Sequence, residues 1–133
     1  MKKTGKILVG IVLFIGIVAG GIRLYLGQQI KEIYKRLDAV AIVDVSNVKD
    51  GTYRGIEETP LVKVTVDVSV KDHRIADIRL VRHENGKGAP AEAMLPKMIE
   101  GNTSETDAVS GATMSAKAIR AAVRKALAQG ARD

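Results

Sequence analysis

The chain opens on its most apolar stretch. Ile7 to Ile22 reads ILVGIVLFIGIVAGGI, with no charged residue, and the run continues past Arg23 to Leu26. A membrane-spanning helix needs roughly 17–25 such residues, and a terminal arginine can snorkel to the interface. Tyr25 stands where an interfacial aromatic residue is expected. The pattern predicts a transmembrane anchor over residues 1–27. A cleaved signal peptide is the alternative, with Lys2, Lys3 and Lys6 as its basic head. The apolar run is long for that role, however, and no A-x-A cleavage pattern follows it.

Beyond the anchor, Ile30, Ile33, Tyr34 and Leu37 recur at helical spacing. They predict an amphipathic connecting helix or linker over residues 28–47, whose apolar stripe packs on the domain or whose basic side rests on headgroups. From residue 48 the period changes. Asp50-Gly51-Thr52-Tyr53-Arg54-Gly55 reads as a turn leading into a short strand. Val62, Val64, Val66, Val68 and Val70 then alternate with polar residues, the signature of a strand with one buried and one wet face. After a turn at Lys71-Asp72-His73-Arg74, Ala76, Ile78 and Leu80 alternate with Asp77 and Arg79, completing an antiparallel hairpin. His73 is read as an exposed turn residue without a function.

A polar loop from Arg82 to Gly88 follows. Pro90 can start a helix through Leu95, which Pro96 breaks or restarts. The last element is a helix with Ile119, Ala122, Val123, Ala126 and Leu127 inward, Arg120, Arg124 and Gln129 on the wet side, Ser115 as N-cap and Gly130 as C-cap. The sum is an α+β fold: a small antiparallel sheet with packed helices, preceded by one transmembrane helix.

Charge and composition narrow the function. The formal net charge is +6, but Lys2, Lys3, Lys6 and Arg23 flank the apolar run; from Gln28 onward 17 basic residues face 15 acidic ones. That segment has only Tyr34 and Tyr53 as aromatic residues, so nucleic-acid binding is not expected. There is no cysteine and there are two histidines, His73 and His83, which argues against thiolate, disulfide and histidine-rich metal chemistry; no metal site is expected. Flanking charges are nearly balanced across the apolar run. The short lysine-rich leading tail favours an inside N-terminus, with the domain extracytoplasmic.

The chemistry concentrates before the last helix, in Asp107-Ala108-Val109-Ser110-Gly111-Ala112-Thr113-Met114-Ser115. Small residues at a helix start leave backbone N–H groups open to a phosphate. Gly111 and Ala112 allow close approach, Thr113 offers a hydroxyl, and Ser110 and Ser115 offer further donors. The residues alone equally fit an anion site and an ordinary Ser/Thr-rich cap.

Asp107 to Thr113 resembles the flavinylation signature D-x-x-[ST]-G-A-[ST] of FMN-binding domains, among them the covalent-flavin subunits of sodium-pumping NADH:quinone reductases and ion-pumping ferredoxin:NAD oxidoreductases. Asp50 to Gly55, the strand pair and the closing helix are similar in the same order, over about residues 48–128. The implied FMN-binding domain spans residues 48–130. The resemblance implies FMN on Thr113 through a phosphoester bond, donated from FAD by a separate flavin transferase that alone uses Mg²⁺. Ser110, Gly111, Ala112, Asp107 and Ser115 are the implied cofactor-binding surroundings, with Tyr53, His83 and Glu84 as further candidates. Asp107 either guides the transferase or fixes the loop. The implied role is an electron carrier at the cell membrane, single-pass, with upstream and downstream redox proteins or quinone as partners. The larger subunits' extra segments are missing, so a minimal carrier is expected. No paired acid and base marks a substrate pocket, so no catalytic residue is assigned. The competing readings are a module holding FMN or another phosphate ligand noncovalently, and a structural membrane protein.

Overall fold

A computed structural model describes residues 2–84 and 89–131. Two compact units divide the chain, Met1–Ile33 and Tyr34–Asp133. Every described residue of the first is helical. Helix α1 runs over Lys2–Asp38, and its apolar side chains from Ile7 to Leu26 are exposed. It is long and apolar enough to cross a membrane and fits a single-pass anchor.

The second unit begins with the last residues of α1. Leu37 is buried, Asp38 receives Lys117 Nζ at 2.6 and 2.8 Å, and that ammonium lies 5.4 Å from the Tyr34 ring centre. The expected helix after the apolar run is therefore continuous with it, and residues 34–38 pack on the domain. A 3₁₀ turn at Val45–Asn47 is capped by Asp44, whose carboxylate accepts from the Ser46 amide at 3.0 Å. The Ser46 hydroxyl donates to the same oxygen at 2.7 Å, and that bond first, then the amide bond, lowers the Asp44 pKa.

Three strands form an antiparallel sheet in the order β1 (Gly51–Glu58), β2 (Lys63–Lys71), β3 (Arg74–Glu84). β1 is a full strand, longer than the short one expected. Val64, Val66, Val68 and Val70 of β2 point into the core, and the residues between them face outward. On the outer face Asp67 accepts from Arg54 at 2.7 and 2.9 Å and from Arg79 at 2.8 Å, which holds its carboxyl far below the ordinary range. The β2–β3 turn places Asp72 at φ 53° and His73 at φ 60°, the left-handed pair of a two-residue type I′ hairpin. His73 Nδ1 also lies 3.3 Å from the Val48 carbonyl oxygen.

β3 departs from the expected alternation. Its register against β2 slips twice, so that Ala76 and Val81 are extra residues. Each bulge moves the inward phase by one position. Ile75 and Ile78 are buried while Ala76 is exposed. The second bulge turns His83 to the core face, opposite the buried Val64, and sends Arg82 and Glu84 outward.

A 3₁₀ turn at Ala89–Ala93 leads into α2 (Met94–Gly101). Pro96 does not break it: as the third residue of α2 it lies in the first turn, where an N–H has no helical partner. α2 ends on Asn102 in the left-handed region (φ 52°), and the Asn102 carboxamide oxygen accepts the Ile75 amide at 2.8 Å.

α3 (Thr113–Ala131) lies across β1 and β2. All five predicted inward residues are buried, but so are Ala118, Ala121 and Arg124. The wet side expected at Arg124 is covered. Its guanidinium donates to both Glu105 oxygens at 2.7 and 2.8 Å and to the Val40 carbonyl at 3.0 Å, which satisfies the buried charge. Gly130 is not a cap either: α3 continues through it to Ala131. A Cβ there would stand 2.5 Å from the Tyr53 ring and 2.6 Å from Val48. Gly55 is tighter still, since its Cβ would lie 1.8 Å from the Ala122 carbonyl oxygen. β1 and α3 thus touch backbone to backbone.

Candidate functional site

The segment from Glu105 to Ala112 is irregular and joins α2 to α3. Its first residue is tied down by Arg124, whose hydrogen bonds are the main reason the Glu105 carboxyl titrates below its ordinary value. Thr106 follows with its hydroxyl oxygen buried and without a partner among the described residues. Asp107 and Ala108 are exposed. Val109 to Ala112 close a turn, the Ala112 amide donating to the Val109 carbonyl at 3.0 Å. Gly111 has φ +80°, as the third position of a type II turn requires, and the space a Cβ would fill is open to 4 Å.

Ala112 is buried and stands at the cap position: its carbonyl accepts the Ala116 amide at 2.9 Å. The helix therefore starts two residues before the expected cap at Ser115, and no side chain closes it. The amides of Thr113, Met114 and Ser115 have no hydrogen-bond partner among the described residues. Thr113 is exposed as the first helical residue. Unpaired amides, an exposed threonine and a turn whose glycine keeps bulk away are the features a cradle for a phosphate monoester would require at a helix start.

The other candidate residues divide. Ser110 is exposed in the turn. Ser115 is 2 % exposed and faces inward, its Oγ 3.1 Å from His83 Nε2. His83 is thereby brought beneath the first turn of α3. Glu84 is not: it lies on the outer face, where hydrogen bonds from Arg82 lower its pKa. The carboxylate that meets His83 is Glu92, 2.9 Å from Nδ1. Reading the sequence missed Glu92, because nothing in the spacing of residues 83 and 92 links them. Tyr53 is placed elsewhere. It packs on Gly130, 17 residues along α3 from Thr113, or roughly 25 Å at the helical rise, and its hydroxyl donates to the Lys49 carbonyl at 2.7 Å.

Residues 61–128, just over half of the chain, match the family model of the FMN-binding domain. The chain belongs to the FMN-binding domain family. Comparison with curated proteins gave no match. The matched stretch contains β2, β3, α2, the signature turn and nearly all of α3; Asp50 to Gly55 precede it. Membership of the FMN-binding domain family gives the domain a flavin-binding role, and the cradle at Thr113 fits the phosphate end of that ligand. The orphaned Thr106 oxygen and the open side of Gly111 lie in the same segment. Asp50 to Gly55 acquire a packing explanation in this fold. Gly51 adopts φ 153° with the Tyr53 hydroxyl 3.0 Å from where its Cβ would be, and Gly55 admits α3.

Proposed function

We propose that this protein is a membrane-anchored electron carrier with FMN attached covalently to Thr113. The observation that supports this most is the exposed Thr113 beside three amides without a partner among the described residues, in an FMN-binding domain. The residues that would hold the phosphate are Thr113, the amides of the first turn of α3, and the Ser110-Gly111 turn. When bound, FMN supplies one- and two-electron redox chemistry, and the protein's part is to position it and tune it.

In the attachment step, the Thr113 oxygen forms a new bond to the FMN phosphorus as the P–O–P bond of FAD breaks. AMP leaves, and the hydroxyl proton passes to a base of a flavin transferase acting with Mg²⁺. A threonine hydroxyl needs such a base and electrostatic help at the phosphorus. The free amides supply part of the latter. The lysine-rich leading tail supports a domain outside the cytoplasm, and redox proteins or quinone are the proposed electron partners.

Intact mass and in-gel fluorescence after denaturation, with and without a co-expressed transferase, test the attachment. Flavin retained only with the transferase is expected. Flavin lost on denaturation points to noncovalent binding, and no flavin at all overturns the reading. Orientation is tested by Lys71→Cys, on an exposed residue of a chain without native cysteine; Lys87, an obvious loop choice from sequence, lies outside the described residues. An impermeant thiol reagent should label Cys in intact cells; labelling only after lysis reverses the topology.

A further inference from the structure

A serine in the first turn of a helix ordinarily spends its hydroxyl on a backbone group of that turn. Ser115 does not. Its Oγ is drawn into the interior by His83, whose side chain is 2 % exposed and whose other nitrogen meets Glu92. A carboxylate can only accept, so in the neutral ring Nδ1 carries the proton and donates to Glu92, while Nε2 accepts from the Ser115 hydroxyl. Burying an imidazole and a hydroxyl is costlier than burying an apolar pair of the same size, unless every polar atom is satisfied. Here the named atoms are satisfied in series. The Val81 bulge exists at the one place that points His83 toward α3; without it the alternation from Leu80 would send His83 outward.

We propose that His83 is a positioning residue for flavin attachment, which rests on the reading of Thr113 as the acceptor. Successive helical residues turn by about 100°, so residues 113 and 115 lie about 200° apart around the axis. Holding Ser115 inward holds Thr113 outward. It also keeps the Ser115 oxygen from folding back over the open amides. Glu92 fixes the tautomer that lets Nε2 accept. His83 touches neither flavin nor phosphorus in this scheme; it sets the rotation of the turn that presents both the nucleophile and the amides.

The test uses the full chain in detergent with purified flavin transferase, FAD and Mg²⁺. Initial labelling rates are read by in-gel fluorescence over a range of acceptor concentrations, alongside melting temperature and hydrogen exchange at the Ala116 amide. His83→Phe fills the space and loses both bonds; Ser115→Ala removes the partner without touching the ring. Each should lower the maximal labelling rate by about 10- to 100-fold, the scale of a misplaced reacting group, with half-saturation by acceptor little changed and exchange faster at the Ala116 amide, which closes the first turn on the Ala112 carbonyl. His83→Gln, whose amide reaches near the place of Nε2, should recover the rate to within about threefold of wild type, whereas His83→Asn, reaching only Nδ1, should not. Wild-type rates in His83→Phe and Ser115→Ala, or a glutamine variant as slow as the phenylalanine one, overturn the proposal. Loss of labelling only in proportion to loss of folded protein also overturns it, and Ser115→Ala makes that outcome readable even where His83→Phe does not fold. Absence of labelling in wild type overturns the acceptor reading itself, and the inference with it.

Discussion

The two ends of α3 are built on opposite principles. Toward its C-terminus the helix meets β1 through missing side chains: Gly55 under Ala122 and Ala126, Gly130 under Tyr53 and Val48. At these two glycines contact is steric and a single methyl group has no room, while the Lys49 amide donates to the Gly130 carbonyl and the Gln129 side chain to the Arg54 carbonyl. At the N-terminus the contacts are hydrogen bonds, Ser115 to His83 and His83 to Glu92, and the backbone amides are left open. The first arrangement fixes where the helix lies. The second leaves an unfilled bonding capacity at a fixed place, which is what a ligand phosphate requires. Tight packing and the proposed chemistry thus fall at different ends of one element.

The sharpest break in that division comes from Thr113→Ala. It should abolish covalent flavin entirely, as seen by fluorescence of the denatured band, and leave the melting temperature where it was. Thr113→Ser should keep part of the labelling, since the oxygen remains. A fluorescent alanine variant would remove the acceptor from this end of the helix. Gly55→Ala makes the converse break. It should cost about 3 kcal/mol by denaturant titration, at the upper range for overpacking, with labelling per folded molecule unchanged. Gly130→Ala should cost less, because a tyrosine ring can turn aside and a carbonyl in a helix cannot.

Glu105→Gln probes the link between the two ends. It weakens the tie from Arg124 to the segment that carries the signature, and should cost about 2 kcal/mol, as for hydrogen bonds to a charged group. Glu105 has a lowered pKa when folded. Its contribution is therefore fully present above the unfolded glutamate value of about 4.3 and is lost as pH falls through the folded value. Melting curves of wild type and variant should converge with acidification across that window; a constant gap would show that the charge is not what matters. The smallest effect should come from His73→Gly. It relieves a left-handed residue but gives up the contact with Val48, for a net gain of about 0.5 kcal/mol.

The strand signal of β2 was legible because five valines alternate without interruption. The phase of β3 was not, because a bulge leaves no mark on composition: Ala76 and Val81 look like any strand residues. That one-residue ambiguity hid the inward direction of His83, which alternation from Leu80 points to solvent; the residue is marked only by the family resemblance. Arg124 was misread for a related reason. A helix wheel assigns charge to water, and only the tertiary fold brings Glu105 and the Val40 carbonyl to it. Gly130 resembled a cap because glycine near a helix end usually is one. The turn at Ser110-Gly111 and the exposed hydroxyl of Thr113 were readable, since small residues before a helix have few other uses. The partner of His83 was beyond reach, because residues 85–88 intervene and Glu92 carries no local pattern.

The entry of the chain into the domain has a mechanical consequence. Asp38 is held by Lys117, the Val40 carbonyl by Arg124, and Arg36 donates to the Glu58 carbonyl at 3.0 Å, around a buried Leu37. Tension applied through the residues before Tyr34 meets these three fasteners first. Two of them belong to α3 and the third to β1, so the load is shared between helix and sheet. The turn from Val109 to Ala112 stands beside that path, since Arg124 also holds Glu105 and Lys117 lies one helical turn after Thr113. A pull on such a mooring is therefore also felt by the segment that leads to Thr113.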